Sequence, residues 1–118
     1  MAGPSVAPAP ARRLWLFSFL QLTSVVMANA VRDNIERRRF ELDTPGGEIA
    51  FANYRREGGV VTIMRTEVPP HINGRGIGSA LVRGALDLVR AEGAKVVPMC
   101  PFVGVFIAKH PDYADLLR

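Results

Sequence analysis

The residues with the clearest potential for chemistry lie in a glycine-rich stretch, Asn73-Gly74-Arg75-Gly76-Ile77-Gly78-Ser79. Its three alternating glycines free the backbone to turn N–H groups toward one point, and a ligand can approach without meeting a Cβ atom. A predicted helix follows, and its unpaired N–H groups and positive dipole end attract anions. Arg75 and Ser79 can add side-chain contacts. The pattern therefore favours a phosphate or pyrophosphate site.

Two other glycine motifs fit this stretch less well. A P-loop needs a lysine and then Ser or Thr after its last glycine, and here Ser79 follows Gly78 directly. A dinucleotide fingerprint needs Gly or Ala at the position of Ser79 and parallel strands around it, whereas the preceding strands look antiparallel. A tight strand-to-helix connection with a capping serine remains open as a purely structural alternative.

The elements before the loop are predicted to be antiparallel strands. Residues 39–42 and 48–56 are typical of a hairpin, because strong turn residues, Asp43 to Gly47, separate them. Residues 60–68 are rich in β-branched side chains and predict a third strand, which ends at Pro69-Pro70 because proline cannot donate to a sheet.

The elements after the loop alternate between helix and strand. Apolar residues at three- and four-residue spacing predict an amphipathic helix over residues 77–92, with Gly93 in its C-terminal cap. A short buried strand over residues 94–99 follows, and then a helix that starts at Pro101 and is closed by Pro111. The predicted order is β-β-β-α-β-α, an α+β fold.

Composition limits the classes of function. The 118 residues suffice for one domain, since most domains have about 100–150 residues. The net charge of +4 comes from arginines scattered along the sequence, and we interpret residues 37–39 as a solvated strand, so no nucleic-acid partner is expected. One cysteine, Cys100, excludes an intrachain disulfide, and His71 and His110 lie far apart, so no metal site is expected.

Residues 1–30 are predicted to be an N-terminal extension, separate from a domain over residues 31–118. Arg12-Arg13, an apolar run and Ala28-Asn29-Ala30 resemble a signal peptide with its cleavage site, and the run is too short and too polar to span a membrane. The alternative, which we favour, is that translation starts at Met27, so that residues 1–26 are not part of the protein.

Two motifs carry a family resemblance. Thr66-Glu67-Val68-Pro69-Pro70, followed by Gly74-Arg75-Gly76-Ile77-Gly78-Ser79-Ala80-Leu81-Val82, resembles motif A of the GNAT superfamily of N-acetyltransferases, although Asn73 departs from its usual first position. The downstream run over residues 97–103, with Phe106-Ile107 and His110-Pro111-Asp112-Tyr113, is similar to the minimal GNAT-like proteins of the YidJ type. The resemblance covers residues 31–117.

The resemblance implies a GNAT-like mixed sheet, an antiparallel meander followed by β-α-β-α, with acetyl-CoA as co-substrate. The pantetheine arm would lie between two splayed parallel strands, residues 60–68 and residues 94–100, where Thr66 and Val68 of the first strand contact it. Backbone amides of residues 73–79 would hold the pyrophosphate. The implied reaction transfers an acetyl group to an unidentified amine of a small molecule or protein, in the cytoplasm. Minimal members lack the helices that enclose an acceptor, so a non-catalytic acyl-CoA-binding module is the alternative.

Four side chains are candidates for that chemistry. The resemblance places a general base on the strand that carries Glu67, although this carboxylate can equally pair with an arginine. Cys100 lies between a strand end and a helix start, a location that lowers a thiol pKa, and it can accept the acetyl group, line the thioester pocket or simply pack. His110 and Tyr113 can protonate the CoA thiolate, or cap and pack. Arg65 stands where the group commonly has a histidine.

Overall fold

The computed structural model describes residues 30–72 and 76–118. Five strands form one sheet in chain order: β1 (Arg32–Asn34), β2 (Arg39–Asp43), β3 (Ile49–Glu57), β4 (Val60–Glu67) and β5 (Lys95–Pro98). Strands β1 to β4 pair antiparallel with one another, and β5 runs parallel to β4. The parallel pair requires a crossover connection, which a helix provides.

Two helices and two 3-10 segments complete the described chain. Helix α1 (Ile77–Ala91) is the crossover between β4 and β5, and α2 (Pro101–Lys109) follows β5. Short 3-10 segments cover Pro70–Ile72 and Pro111–Leu116. Gly93 follows α1 with a φ of 72°, the left-handed conformation that glycine adopts without strain, and so it ends the helix.

The hydrophobic core lies between one face of the sheet and the two helices. The sheet contributes alternate residues of its central strands, because successive side chains of a strand point to opposite faces. Helix α1 contributes residues three or four apart, the spacing of one helix face. The fully buried members include Phe40, Leu42, Val61, Ile63, Leu81, Leu86, Val89, Val96 and Val103.

The predicted α+β mixed sheet is confirmed, with two corrections at the start of the domain. Strand β1 was not predicted, because it has only three residues, all polar or charged, as edge strands often are. Arg37 and Arg38 do not form a strand with Arg39: they lie in the turn between β1 and β2, and only Arg39 belongs to β2. Residues 1–29 of the predicted N-terminal extension lie outside the described residues, and Val31–Arg118 forms one compact unit.

Candidate functional site

The parallel pairing of β4 and β5 ends before β4 does. The register runs from Val60 opposite Lys95 to Ile63 opposite Pro98, and β4 then continues to Glu67. Beyond Pro98 the chain turns away, since Met99 N–H donates to Val97 O at 3.1 Å, and Cys100 N–H closes the ladder on Ile63 O at 3.0 Å. Among the described residues, the last ones of β4 therefore have no strand partner on the β5 side, and we call this unpaired edge the opening.

A β-bulge at Met64 sets the direction of the side chains beside this opening. Tyr54 pairs with Ile63 and Asn53 with Arg65, so Met64 is the extra residue of β4. After the bulge, Thr66 lies opposite Ala52, which points into the core. Because paired residues share a face of the sheet, Thr66 lies on the helix side.

Thr66 and Cys100 meet on that helix side. Thr66 Oγ1 lies 3.5 Å from Cys100 Sγ, and the cysteine is 7% exposed. Burial raises the pKa of the Cys100 thiol, but hydrogen bonds from Thr66 and from the backbone at the start of α2 outweigh it. The pKa of Cys100 therefore lies below its ordinary value of 9.0, which favours the thiolate.

Glu67 lies on the other face of the sheet. It pairs with Phe51, one register position along from Thr66 and Ala52, so its side chain points away from the helices. The carboxylate, 40% exposed, accepts a hydrogen bond and ion pair from Arg65. The structure thus does not bring Glu67 and Cys100 together on one face. Glu67 instead pairs with an arginine, which was the alternative to a role as general base.

Glu67 also lines a cleft of about 400 Å³ on its side of the sheet. The other walls come from the turn into β3 and from the chain after β4, including Glu48, Phe51 and Pro69. His71 Nε2 lies 2.8 Å from Glu48 Oε1 at this end of the sheet. Two carboxylates, Glu48 and Glu67, therefore line one open cleft next to β4.

The start of α1 presents backbone N–H donors that have no acceptor within the helix, and it lies beside the opening. Gly76 has a φ of 77°, and the first intrahelical bond runs from Ala80 N–H to Gly76 O at 2.9 Å. The N–H groups of Ile77, Gly78 and Ser79 precede that bond and have no acceptor within the helix. No side-chain cap occupies this end, and no acidic residue lies in the first turn. Asn73, Gly74 and Arg75 lie outside the described residues.

Two positions of the predicted loop require glycine for different physical reasons. Gly76 is required for its positive φ, which a side chain would strain. Gly78 lets the Phe102 ring approach, since a Cβ on Gly78 would lie 2.7 Å from Cε2 of that ring and 3.7 Å from Val68 Cγ2. The start of α1, the end of β4 and the start of α2 therefore pack closely around the opening.

His110 and Tyr113 lie away from the opening. Cys100 and His110 flank α2, and a helix of this length separates them by about 15 Å. His110 Nδ1 lies 2.8 Å from Phe106 O, and its ring stacks on the Phe106 ring. Tyr113 donates to Asp87 Oδ1 at 2.7 Å, and burial together with this bond raises the Tyr113 pKa. Their observed contacts are those of capping and packing.

The structure brings together arginines that the sequence analysis regarded as scattered. Arg37, Arg38, Arg55 and Arg65 line a cleft of about 470 Å³ at the bulge. The sequence carried no signal for this meeting, because it depends on the turn between β1 and β2 and on the register of β3 and β4. Among residues 30–72 and 76–118, no group of three or more His, Cys, Asp or Glu could hold a metal ion. No helix in this part of the chain is long and apolar enough to cross a membrane.

Comparisons with known proteins agree with this architecture. The NMR solution structure of a GCN5-like protein from Staphylococcus aureus matches with a TM-score of 0.58 and 21% sequence identity, over 75% of this chain and 86% of that chain. At this identity the likeness shows the fold. Residues 39–116 match the family described as GCN5-related N-acetyl-transferase. The narrower likeness to YidJ-type proteins stays a prediction. Because the family match spans most of the length of this chain, the chain belongs to the GCN5-related N-acetyltransferases.

Proposed function

We propose that this protein is an acetyl-CoA-dependent N-acetyltransferase. The observation that carries the proposal is the opening where the β4–β5 ladder ends, with the Thr66–Cys100 contact inside it and the start of α1 beside it. Membership of the acetyltransferase family supports the type of reaction. Because acetyl-CoA is an intracellular compound, we expect the protein to act in the cytoplasm.

The residues at the start of α1 fit the CoA pyrophosphate. Three backbone N–H groups, those of Ile77, Gly78 and Ser79, have no acceptor within the helix, and the helix dipole adds partial positive charge. The absence of acidic residues from the first turn leaves this charge uncompensated. Thr66 and Val68 border the opening in which the pantetheine arm would lie. Acetyl-CoA supplies the activated acetyl thioester.

The proposed chemistry uses the two faces of the sheet in turn. The Cys100 thiolate attacks the thioester carbonyl, so that a bond from Cys100 Sγ to the acetyl carbon forms, the carbon–sulfur bond to CoA breaks, and the CoA thiolate takes a proton from water. The amine nitrogen then attacks the acetyl carbon, and Cys100 leaves as thiolate. Glu67 accepts the proton that the amine loses through an intervening water, since its carboxylate lies on the other face of the sheet. The products are an acetylated amine and CoA.

His110 and Tyr113 have no role in this proposal. His110 contacts Phe106 and Tyr113 contacts Asp87, and both residues follow the end of α2 that is remote from Cys100. Water can reach the departing thiolate, since the neighbouring Met99 is 66% exposed. Solvent therefore suffices as the proton source.

A second candidate function is a non-catalytic acyl-CoA-binding module. The observation in its favour is the ion pair of Glu67 with Arg65, which engages the proposed base with a neighbour on its own strand. In that case the opening binds acetyl-CoA, but no amine is activated. The two functions share the same binding site and differ only in turnover.

Calorimetry with acetyl-CoA, followed by release of free thiol in the presence of a panel of amines, separates the two functions. We expect binding and amine-dependent thiol release. Intact-protein mass spectrometry without an amine should detect one acetyl group on the wild type and none on Cys100→Ala. Binding without release on any amine supports the module, and absence of binding refutes both functions. Turnover of Cys100→Ala at the wild-type rate would reduce Cys100 to a packing residue.

A further inference from the structure

The cleft at the β4 bulge has four arginines in its walls, and we call it the arginine cleft. Its lining includes Arg37, Arg38, Arg55 and Arg65, with Asn53 and Met64 between them. Its volume of about 470 Å³ lies within the range of about 300–1,000 Å³ that is typical of small-molecule sites. The cleft is therefore large enough for a small anionic compound.

Hydrogen bonds donated by backbone N–H groups hold the arginine cleft in shape. Tyr54 N–H donates to Arg38 O at 2.9 Å, which fixes the β1–β2 turn against β3. Arg37 N–H donates to Asn34 Oδ1 at 3.1 Å, so the same turn is tied to β1. Arg65 lies opposite Asn53 in the sheet. The arginines thus come from a turn and two strands whose relative positions are fixed.

Three of these arginines lack a carboxylate partner among residues 30–72 and 76–118: Arg37, Arg38 and Arg55 form no ion pair there within 4.0 Å. All 11 Asp and Glu residues of the chain lie in that part, so the remaining residues cannot supply one. In contrast, Arg32 and Arg39 on the neighbouring strands both pair with the buried Glu41. The positive charge of the cleft is therefore left for a ligand.

The arginine cleft adjoins the proposed acceptor side of the site. Arg65 belongs to the cleft and pairs with Glu67. Two residues along a strand span about 7 Å, so an acid group near Arg65 lies about that far from the Glu67 position. Glu67 and Glu48 line the neighbouring cleft, where negative charge suits an amine. Cationic and anionic clefts thus lie side by side on one face.

We infer that the arginine cleft binds an acid group of the acceptor, so that the acceptor is a small amine carrying a phosphate or carboxylate. This inference rests on the proposed function and names its substrate class. Arginine side chains bind both acid groups through charge-assisted hydrogen bonds. A bound acid group also competes with Glu67 for Arg65, and so releases the Glu67 carboxylate for the amine.

The test compares matched amines and matched variants of the full chain. O-phosphoserine is compared with serine, and glutamate with glutamine, in thiol release from acetyl-CoA. We expect kcat/KM at least about tenfold higher for the acidic member of a pair, since one charge-assisted hydrogen bond contributes roughly that factor. The double variant Arg38→Gln/Arg55→Gln should lose this preference. Arg118→Gln, which removes one exposed positive charge at the C-terminus, is the control.

Amide chemical shifts of the ¹⁵N-labelled protein provide a readout that does not depend on turnover. O-phosphoserine should shift the amides of Arg38, Asn53 and Arg65 in the wild type and in Arg118→Gln, but not in the double variant. Equal rates for acidic and neutral amines overturn the inference and leave the transferase proposal standing. Shifts in the cleft without acetylation of any amine refute the proposed function instead. An oligonucleotide that shifts these amides where O-phosphoserine does not also overturns the inference.

Discussion

The proposed pyrophosphate site makes a prediction that separates ligand binding from folding. Ser79 is the third residue of α1 and is exposed, and no acidic residue lies in the first turn of that helix. We expect Ser79→Asp to stabilise the protein while it weakens the binding of acetyl-CoA. Both effects come from one added negative charge, which attracts the helix dipole and repels a pyrophosphate.

The two magnitudes can be worked out separately. A carboxylate in the first turn of a helix contributes about 0.3–1 kcal/mol, which raises the melting temperature of a domain of this size by about 1–8 °C. At about 6 Å and an effective dielectric constant of about 40, each phosphate charge repels the carboxylate by about 1.4 kcal/mol. Two such charges, reduced by roughly half through screening at physiological salt, weaken binding by about tenfold.

Thermal unfolding and calorimetry with acetyl-CoA measure the two effects on the same samples. Ser79→Asn, which has a similar size and no charge, should change neither quantity by more than a small amount. At about 1 M salt the screening length falls to roughly 3 Å, so the affinity loss of Ser79→Asp should shrink to within about twofold of the wild type.

Two results would refute this reasoning. Unchanged affinity in a stabilised Ser79→Asp means that the pyrophosphate does not lie at the start of α1. Reduced affinity together with a lower melting temperature means that the substitution damages the fold, so the loss says nothing about repulsion.

Two further predictions concern the core and the thiol. Gly84→Ala should lower the free energy of unfolding by about 1 kcal/mol, because its Cβ would lie 2.6 Å from Val31 Cβ. Gly104→Ala is the control: no described atom lies within 4 Å of its Cβ, so it should raise the free energy of unfolding by about 0.5–1 kcal/mol. Chemical denaturation measures both changes. Thr66→Val should move the pH midpoint of Cys100 acetylation upward, because loss of the hydroxyl hydrogen bond raises the Cys100 pKa and leaves less thiolate at a given pH. Thr66→Ser should keep the wild-type midpoint, and a Thr66→Val midpoint at the wild-type position would show that the hydroxyl does not favour the thiolate.

Periodicity predicted the elements whose burial is regular. Helix α1 buries Leu81, Val82, Ala85, Leu86 and Val89 on one face, and this 3.6-residue spacing is visible in the sequence. The alternation and β-branched content of β3 and β4 likewise predicted two strands, and Pro69-Pro70 marked the end of β4 within one residue. These features follow from local rules that do not depend on the partner element.

Register and turn geometry were not available from the sequence. Arg38 has a φ of 54°, unusual for a residue with a side chain, and this turn conformation brings Arg37 and Arg38 to β3. The contact between Thr66 and Cys100 joins residues 34 positions apart, at the ends of two parallel strands. Identifying β4 and β5 as a parallel pair predicts that these ends lie near each other. It does not predict that the two side chains lie on the same face of the sheet.

The bulge at Met64 decides which groups share a face. In a regular strand Glu67 would point to the same side as Ile63, into the core, and Thr66 to the opposite side. One inserted residue reverses this order. Thr66 contacts Cys100 on the helix side, and Glu67 lies with Arg65 on the opposite face of the sheet. The thiol side and the carboxylate side of the proposed site thus depend on one extra residue in β4. Because Met64 also lines the arginine cleft, the same bulge connects the proposed acceptor site to the acyl site.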